Sequence, residues 1–287
     1  MSTQVTTAFV QQFSNNITML AQQSGSRLRG AVSEESVTGE KAFFDQVSSV
    51  AAVKRTSRHG DTPLVETPHS RRMVTMDTFE WSDLIDSADK VAMLADPTNV
   101  YARTAANAIG RSMDDEIIAA ATGTSKTGKA GASSTSMLSA NTIAHGSADL
   151  TIAKLLAAKK ALDLNDVDPS IPRYIAVGPN QIEALLNTTQ VTSSDFNTVR
   201  ALASGQVDSF LGFKFIVTNR LAFASNIRTC FAWAEDGIKL AVGRDVMSRI
   251  DERADKSYST QVYYCATFGS TRMEEEKVVS IACDESA

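Results

Sequence analysis

The sequence predicts an α+β chain organised around one long helix, on three observations. A single apolar stripe is sustained from Tyr101 to Ala120, a long arginine-rich extended stretch precedes it, and short strands alternate with helices after it. Tyr101, Ala105, Ala108, Ile109, Met113, Ile117 and Ala120 recur at the three-and-four spacing of one helix face, with Arg103, Arg111, Asp114 and Asp115 elsewhere. Asp96 is suited to cap the first turn, and Pro97 suits the first helical position because its missing N–H would have no intrahelical partner. Gly123 offers the permissive conformation that ends the helix. At 1.5 Å per residue the rod is roughly 37 Å long, enough to carry separate lobes. Such an order of parts suits a shell subunit better than a catalyst.

Residues 1–40 have weak periodicity, many Gln, Ser, Thr and Asn, and no acidic residue before Glu34, so they read as an arm. Phe9, Phe13, Ile17 and Leu20 share one face of a short helix expected over Phe9 to Gln22, which Ser24, Gly25 and Ser26 would end. From Phe43 to Ile85 the texture becomes a long open hairpin, with extended runs at Val47 to Val53 and Met73 to Trp81 around a polar middle containing Gly60, Pro63 and Pro68. Lys54, Arg55, Arg58, Arg71 and Arg72 outnumber Asp61 and Glu66 in the loop, which holds little apolar material to pack a lobe. A connection of this length implies a lid, a binding loop or an arm reaching a neighbour.

Thr122 to Gly146 is rich in small residues and reads as a loop or irregular ribbon. Asp149 is expected to cap a second helix whose Ile152, Leu155, Leu156 and Leu162 face inward while Lys154, Lys159 and Lys160 lie off that side, with Asp168 and Pro169 as its stop. Tyr174 to Val177 reads as a buried strand, Gly178 to Asn180 as a turn, and Gln181 to Asn187 as a short helix. A strand is expected within Phe210 to Val217. Thr229 to Trp233 and Ile238 to Val242 flank Glu235, Asp236 and Gly237, an expected hairpin turn. Two further strands, near Tyr258 to Phe268 and Lys277 to Cys283, close the chain.

With 287 residues and 43% apolar content the chain buries a substantial core, as one large domain or two modest ones. A net charge of -5 argues against a strong nucleic-acid clamp and leaves only local, weak DNA contact. No apolar run is long enough to span a membrane, and the N-terminal MSTQVTTAFVQQF lacks the pattern of a signal peptide, so folding in a cytoplasm is expected. Cys230, Cys265 and Cys283 have no CxxC spacing and read as reduced, small apolar residues.

No catalytic, cofactor-binding or metal-binding set emerges. Gly123 to Lys129 matches GxxxxGK, but Ala130 follows where Ser or Thr should hold magnesium, and the segment follows a helix instead of a strand. Ser57, His59 and Asp61 lie in an extended stretch where they need not converge. His59, His69 and His145 are isolated in polar stretches. Asp114, Asp115 and Glu116 splay about 100° apart on a helix and cannot share one metal, and Asp115 is expected to pair with Arg111. Glu274 to Lys277 reads as a solvated turn or strand edge.

Taken together, arm, extended loop, long helix, mixed lobe and closing strands resemble the major capsid proteins of tailed bacteriophages, the Hong Kong 97-type fold family. Arg173 to Asn180, Phe210 to Val217 and Asp236 to Val242 are similar to pieces of that family's axial domain, and Tyr258 through Arg272 to Cys283 to its last peripheral strands. The resemblance implies an N-terminal arm over 1–42, an extended loop over 43–85, a peripheral domain with spine helix over 86–148, an axial domain over 149–242 and peripheral return strands over 243–287. It implies a self-assembling icosahedral shell of hexamers and pentamers around double-stranded DNA, located in the virion and assembled in the bacterial cytoplasm. Portal and separate scaffolding or decoration proteins are the implied partners, with no enzyme activity, cofactor or membrane. Lys54, Arg55, Arg58, Arg71, Arg72 and Trp81 are the candidate inter-subunit contacts. A bacterial nanocompartment shell that packages protein cargo shares the fold and is the nearest alternative. A nucleotide-dependent enzyme and an extracellular fibre are more distant ones.

Overall fold

The computed structural model describes residues 21–85, 98–187 and 209–286. The expected helix over Phe9 to Gln22 and the expected cap at Asp96 and Pro97 lie in or against the undescribed stretches. In chain order the strands are β1 (Ser33–Ser36), β2 (Lys41–Val47), β3 (His69–Thr75), β4 (Asp77–Ile85), β5 (Ser125–Thr127), β6 (Ser133–Thr135), β7 (Thr142–Ile143) and β8 (Arg173–Val177). There follow β9 (Ser209–Phe210), β10 (Phe213–Val217), β11 (Phe223–Ala224), β12 (Ile227–Ala234), β13 (Ile238–Arg253), β14 (Ser259–Arg272) and β15 (Val278–Asp284). The helices are α1 (Thr98–Thr122), α2 (Ile152–Leu164) and α3 (Pro179–Leu186).

Three sheets organise these elements. One has the order β1-β13-β14-β4, a second β2-β3-β5-β6, and the third β7-β15-β12-β8-β10-β9 with β11 attached to β12. The chain forms two compact units, each drawn from three separate segments. The smaller contains Met1–Ser26, Thr78–Arg111 and Asp245–Ala266, and the larger the rest.

In α1 the expected stripe is present: Ala105, Ile109, Met113 and Ile117 are buried. Asp114 departs from expectation, because it too is fully buried. Its carboxylate accepts the backbone N–H groups of Arg27 and Leu28 at 3.0 to 3.1 Å, fixing the arm region at that point. Asp115 pairs with Arg220 and not with Arg111. A tertiary partner that offers two parallel N–H groups outcompetes a single contact one turn away. Gly123 closes the helix for a different reason from the one expected: an added Cβ would lie 2.5 Å from the carbonyl oxygen of Ala119, so glycine is required by space.

The seven-stranded sheet holds the main core. Ile175, Val177, Phe213, Phe231, Trp233, Val279 and Ile281 are buried on it, and Leu155, Ala158 and Leu162 of α2 are buried as well. The N-cap of α2 is Thr151, whose hydroxyl accepts from the Lys154 N–H, and not Asp149. Leu156 is exposed and Lys154 buried, the reverse of the expectation. The Lys154 ammonium donates to the carbonyls of His145, Ala148 and Ala282 at 2.7 to 2.9 Å, so its charge is met by three oxygens. The three cysteines are free and buried, as their spacing implied, and hydrogen bonding with Cys283 together with burial pushes the Cys230 thiol well up.

The closing strand differs from the sequence reading. β15 does not join β13 and β14 but sits inside the seven-stranded sheet, antiparallel to β12 and parallel to β7. Successive residues Val278, Val279, Ser280 and Ile281 are all buried, which requires cover on both faces of the sheet. Asp236 and Gly237 do not make a hairpin either. They form a single 3-10 turn that passes the chain from β12 in one sheet to β13 in another. Gly237 is needed because an added Cβ would lie 2.8 Å from Cβ of Lys277 and 3.1 Å from its carbonyl oxygen. Gly237→Ala is therefore expected to lower subunit stability by about 1–3 kcal/mol in urea unfolding.

Candidate assembly interface

The extended loop is an open hairpin, but its strands begin earlier than the sequence suggested. β2 and β3 pair antiparallel from Lys41 opposite Thr75 to Val47 opposite His69, and Ser48 N–H donates to the Pro68 carbonyl at 3.0 Å. The expected run Val47 to Val53 is strand only at Val47, since β-branched residues at 50 and 53 have no partner chain or core to pack on. Beyond Ser48 the chain to Thr67 is exposed throughout and has no strand pairing. Val50, Val53, Leu64 and Val65 are among its exposed side chains, with Leu64 at 97%.

The candidate contact residues separate into distinct environments. Lys54, Arg55 and Arg58 are exposed in the unpaired stretch, where Arg55 donates only to the Ser57 carbonyl at 2.7 Å. Trp81 is half-buried on β4. Arg71 lies on β3 and is clamped by Asp45 opposite it, Nε to Oδ1 at 2.5 Å and Nη2 to Oδ2 at 3.1 Å, with its guanidinium 5.5 Å from the centre of the Phe43 ring. The Arg71 hydrogen bond holds the exposed Asp45 carboxyl below its ordinary range. Arg72, one residue on, points to the opposite face and is buried. Arg72, expected at a subunit contact, has an intrachain partner: its Nη2 meets Glu275 Oε2 at 2.5 Å.

That contact belongs to a buried charge cluster which the sequence does not reveal. Arg272, fully buried on β14, donates to the carbonyls of Ala121 and Gly123 at 3.0 and 2.8 Å and lies 3.7 Å from Glu275. Arg272 thus caps the C-terminus of α1 with a cation, where the unsatisfied carbonyls and the helix dipole both favour positive charge. Burial lowers the Arg272 pKa from its ordinary value and the Glu275 charge opposes that shift. Glu275 was expected in a solvated run; only its neighbour Glu276 is exposed. Three consecutive glutamates carry no signal that marks one of them as buried.

The other sets weighed in the sequence do not converge. Ser57, His59 and Asp61 are all exposed in the unpaired stretch. Gly123 to Lys129 runs into β5 and a turn at Gly128, φ 90°, before β6, so its N–H groups face no phosphate-sized helix mouth. Among the described residues no group of His, Cys, Asp or Glu is arranged to hold a metal, and no helix is long and apolar enough to cross a membrane.

Asp77, Asp115 and Glu116 form an acidic concentration. Burial raises the Glu116 pKa above its ordinary 4.5, and the charges of Asp77 and Asp115 raise it further. A carboxyl whose folded pKa is raised binds its proton more tightly in the native state. Its ionisation therefore costs stability as pH rises above 4.5. Glu116→Gln is expected to raise the melting temperature at pH 7, with the difference vanishing below pH 4 where both forms are neutral, as measured by calorimetry across that range.

Residues 5–285 match the family described as phage capsid protein. The chain belongs to that family. It is a structural subunit of a phage capsid, not a catalyst. Among curated proteins no sequence relative is detected. The fold is that of solved phage capsids: the capsid of cyanophage P-SCSP1u superposes with a TM-score of 0.78 at 17% identity, covering 99% of this chain and 95% of that one. Mycobacterium phage Che8 gives 0.71 at 15% identity over 97% and 98% of the two chains, and the capsid of Ralstonia phage GP4 gives 0.72 at 12% over 96% and 95%. The Hong Kong 97-type architecture implied by the order of parts is the architecture this capsid protein has.

Proposed function

We propose that this capsid protein is the major subunit of an icosahedral head that encloses the double-stranded DNA genome of a tailed phage, arranged as hexamers and pentamers. The observation that carries the reading is the loop from Ser48 to Thr67, in which exposed Val50, Val53, Leu64 and Val65 accompany Lys54, Arg55 and Arg58. Apolar side chains on an unpaired loop gain burial only against another molecule. A repeated heterologous contact, closing by rotation, supplies such a neighbour for every copy. Lys54, Arg55, Arg58, Arg71 and Trp81 are the proposed contact residues, while Arg72 serves its own chain. In the proposed division, arm, loop and spine precede an axial lobe, and β15 is reassigned to that lobe from the return strands. Portal, scaffolding and decoration proteins are proposed partners, and with a net charge of -5 the subunit touches packaged DNA only weakly.

Expression of the chain alone, followed by negative-stain microscopy and sedimentation velocity, tests the proposal. Closed shells, tubes or capsomer rings support it. A monomer that persists at high concentration and with co-expressed scaffold and portal overturns it. A nanocompartment shell would yield similar particles, and protein cargo in place of nucleic acid inside particles purified from the native source would favour that reading.

A further inference from the structure

The charge on this subunit is segregated in a way that internal pairing does not neutralise. On β3 and the β5–β6 turn, His69, Arg71, Gly128 and Lys129 line an open cleft together with Asp45 and Ser70. The turn is tied to β3 by the Gly128 N–H, which donates to the Arg71 carbonyl at 3.2 Å, so Lys129 is held beside Arg71. Arg71 is itself fixed by Asp45 below and Phe43 alongside. Lys129 is exposed, and neither a hydrogen bond nor an ion pair engages it among the described residues. Formally, Arg71 and Lys129 against Asp45 leave the cleft at about +1 with His69 neutral. Phe43, 41% exposed, adds an apolar wall at its side.

The opposite charge is concentrated on β4. Its sequence Asp77–Ile85 contains Asp77, Glu80 and Asp83 and no Lys or Arg. β4 is the last strand in the order β1-β13-β14-β4, so one edge of it is left without a strand partner among the described residues. Successive side chains alternate, which places Asp77, Trp81 and Asp83 on one face and Glu80 and Leu84 on the other. Glu80 accepts a hydrogen bond from the Tyr263 hydroxyl at 2.9 Å, whereas among the described residues Asp83 accepts only from the N–H of Leu84 next to it. Leu84 is 44% exposed. Charges on an edge strand keep it from pairing at random, and they also select a partner of opposite sign.

We infer that the Arg71–Lys129 cleft of one subunit receives the acidic edge strand β4 of a second copy of the same chain, with Asp83 meeting Lys129 and the Trp81 side of β4 meeting Phe43. The inference rests on the capsid reading and adds to it a specific pair of surfaces. Since each copy carries both surfaces and they are different, the contact is heterologous and propagates from copy to copy. A rigid, pre-clamped guanidinium beside a mobile ammonium fits a carboxylate-bearing strand, because the first fixes orientation and the second follows the charge. The cleft and strand are the only parts of the argument that need assembly; neither requires another protein.

Charge exchange tests the pairing. Lys129→Glu and Asp83→Lys are made singly and together in the full chain, and the subunit concentration at which particles appear is measured by sedimentation velocity at low and high salt. Each single variant should raise that concentration about tenfold, by placing like charges at every such contact, and the double variant should return to within about twofold of the wild-type value. Circular dichroism and urea unfolding of each subunit separate loss of assembly from loss of fold, and Lys129→Gln with Asp83→Asn provide milder forms should either reversal misfold. Additive impairment in the double variant, or indifference of assembly to all of them, overturns the inference while leaving the capsid reading intact. Failure of the wild-type chain to assemble under any condition would count against the capsid reading first.

Discussion

Glu275→Gln is expected to destabilise the subunit by about 3–5 kcal/mol, the cost of leaving buried charge without its counter-ion. The carboxylate stands between two arginines from different elements, Arg72 on β3 at 2.5 Å and Arg272 on β14 at 3.7 Å. The side chains of Arg72, Arg272 and Glu275 are each exposed by no more than 9%, so water cannot take over the lost charge. Neutralising Glu275 would leave two guanidiniums facing each other in a poorly solvated site. The base of the extended loop and the Arg272 cap on α1 would loosen together, since both arginines lean on the same carboxylate. Urea unfolding of the unassembled subunit measures the loss. Because the desolvation of such a cluster opposes its attraction, replacing Glu275 and Arg72 together, by Glu275→Leu with Arg72→Met, should cost less than Glu275→Gln alone. A double variant that is less stable than Glu275→Gln would show that the ion pair itself, and not the avoidance of an orphaned charge, sustains the site.

Trp233→Ala carries the second large expected effect, about 3–5 kcal/mol. Trp233 is the largest fully buried side chain of the described core. It stacks on Tyr174 at 5.8 Å and packs on Phe231 at 4.8 Å between ring centres, and its indole N–H donates to the Ala31 carbonyl at 2.8 Å. The last contact attaches the arm region, at Ala31, to the seven-stranded sheet. Trp233→Phe would keep most of the ring packing and strand the Ala31 carbonyl, so a smaller loss of about 1–3 kcal/mol is expected. Hydrogen exchange at residues 28–32 should rise in both variants, and melting experiments on the soluble subunit rank them. Equal losses in the two would mean that the hydrogen bond, not the filled volume, sets the stability of this part of the core.

Some of the proposed assembly surface is readable before folding and some is not. Lys54, Arg55 and Arg58 are identifiable because a long polar connection with excess cations has no reason to fold on itself. Arg71 and Arg72 are adjacent and chemically identical, yet one is at the surface and the other in the core. A strand turns successive side chains to opposite faces, and only the register of β3 against β2 and β5 decides which face is covered. Lys129 reads in sequence as part of a failed nucleotide motif. Its place beside Arg71 exists because the β5–β6 turn pairs back onto β3.

The second half of β13 illustrates a different limit. Residues 243–253 show no clear apolar alternation from which a strand could be read locally, yet β13 runs unbroken to Arg253. Their extended form is imposed by pairing with β14.

By itself the sequence determined the 25-residue helix, whose buried stripe needs only local spacing, along with the open cationic loop, the free cysteines and the buried strand Arg173–Val177. These follow from periodicity, composition and the conformational limits of Gly and Pro, all of which act within a few residues. Tertiary structure alone decided which of the charged side chains are spent inside: Asp114 on the N–H groups of Arg27 and Leu28, Lys154 on three carbonyls, Glu275 between two arginines. It also decided that β15 enters the seven-stranded sheet and that Gly237 turns the chain between sheets. A buried charge is tolerated only where several distant groups converge to replace its water, and no spacing along the chain records that convergence.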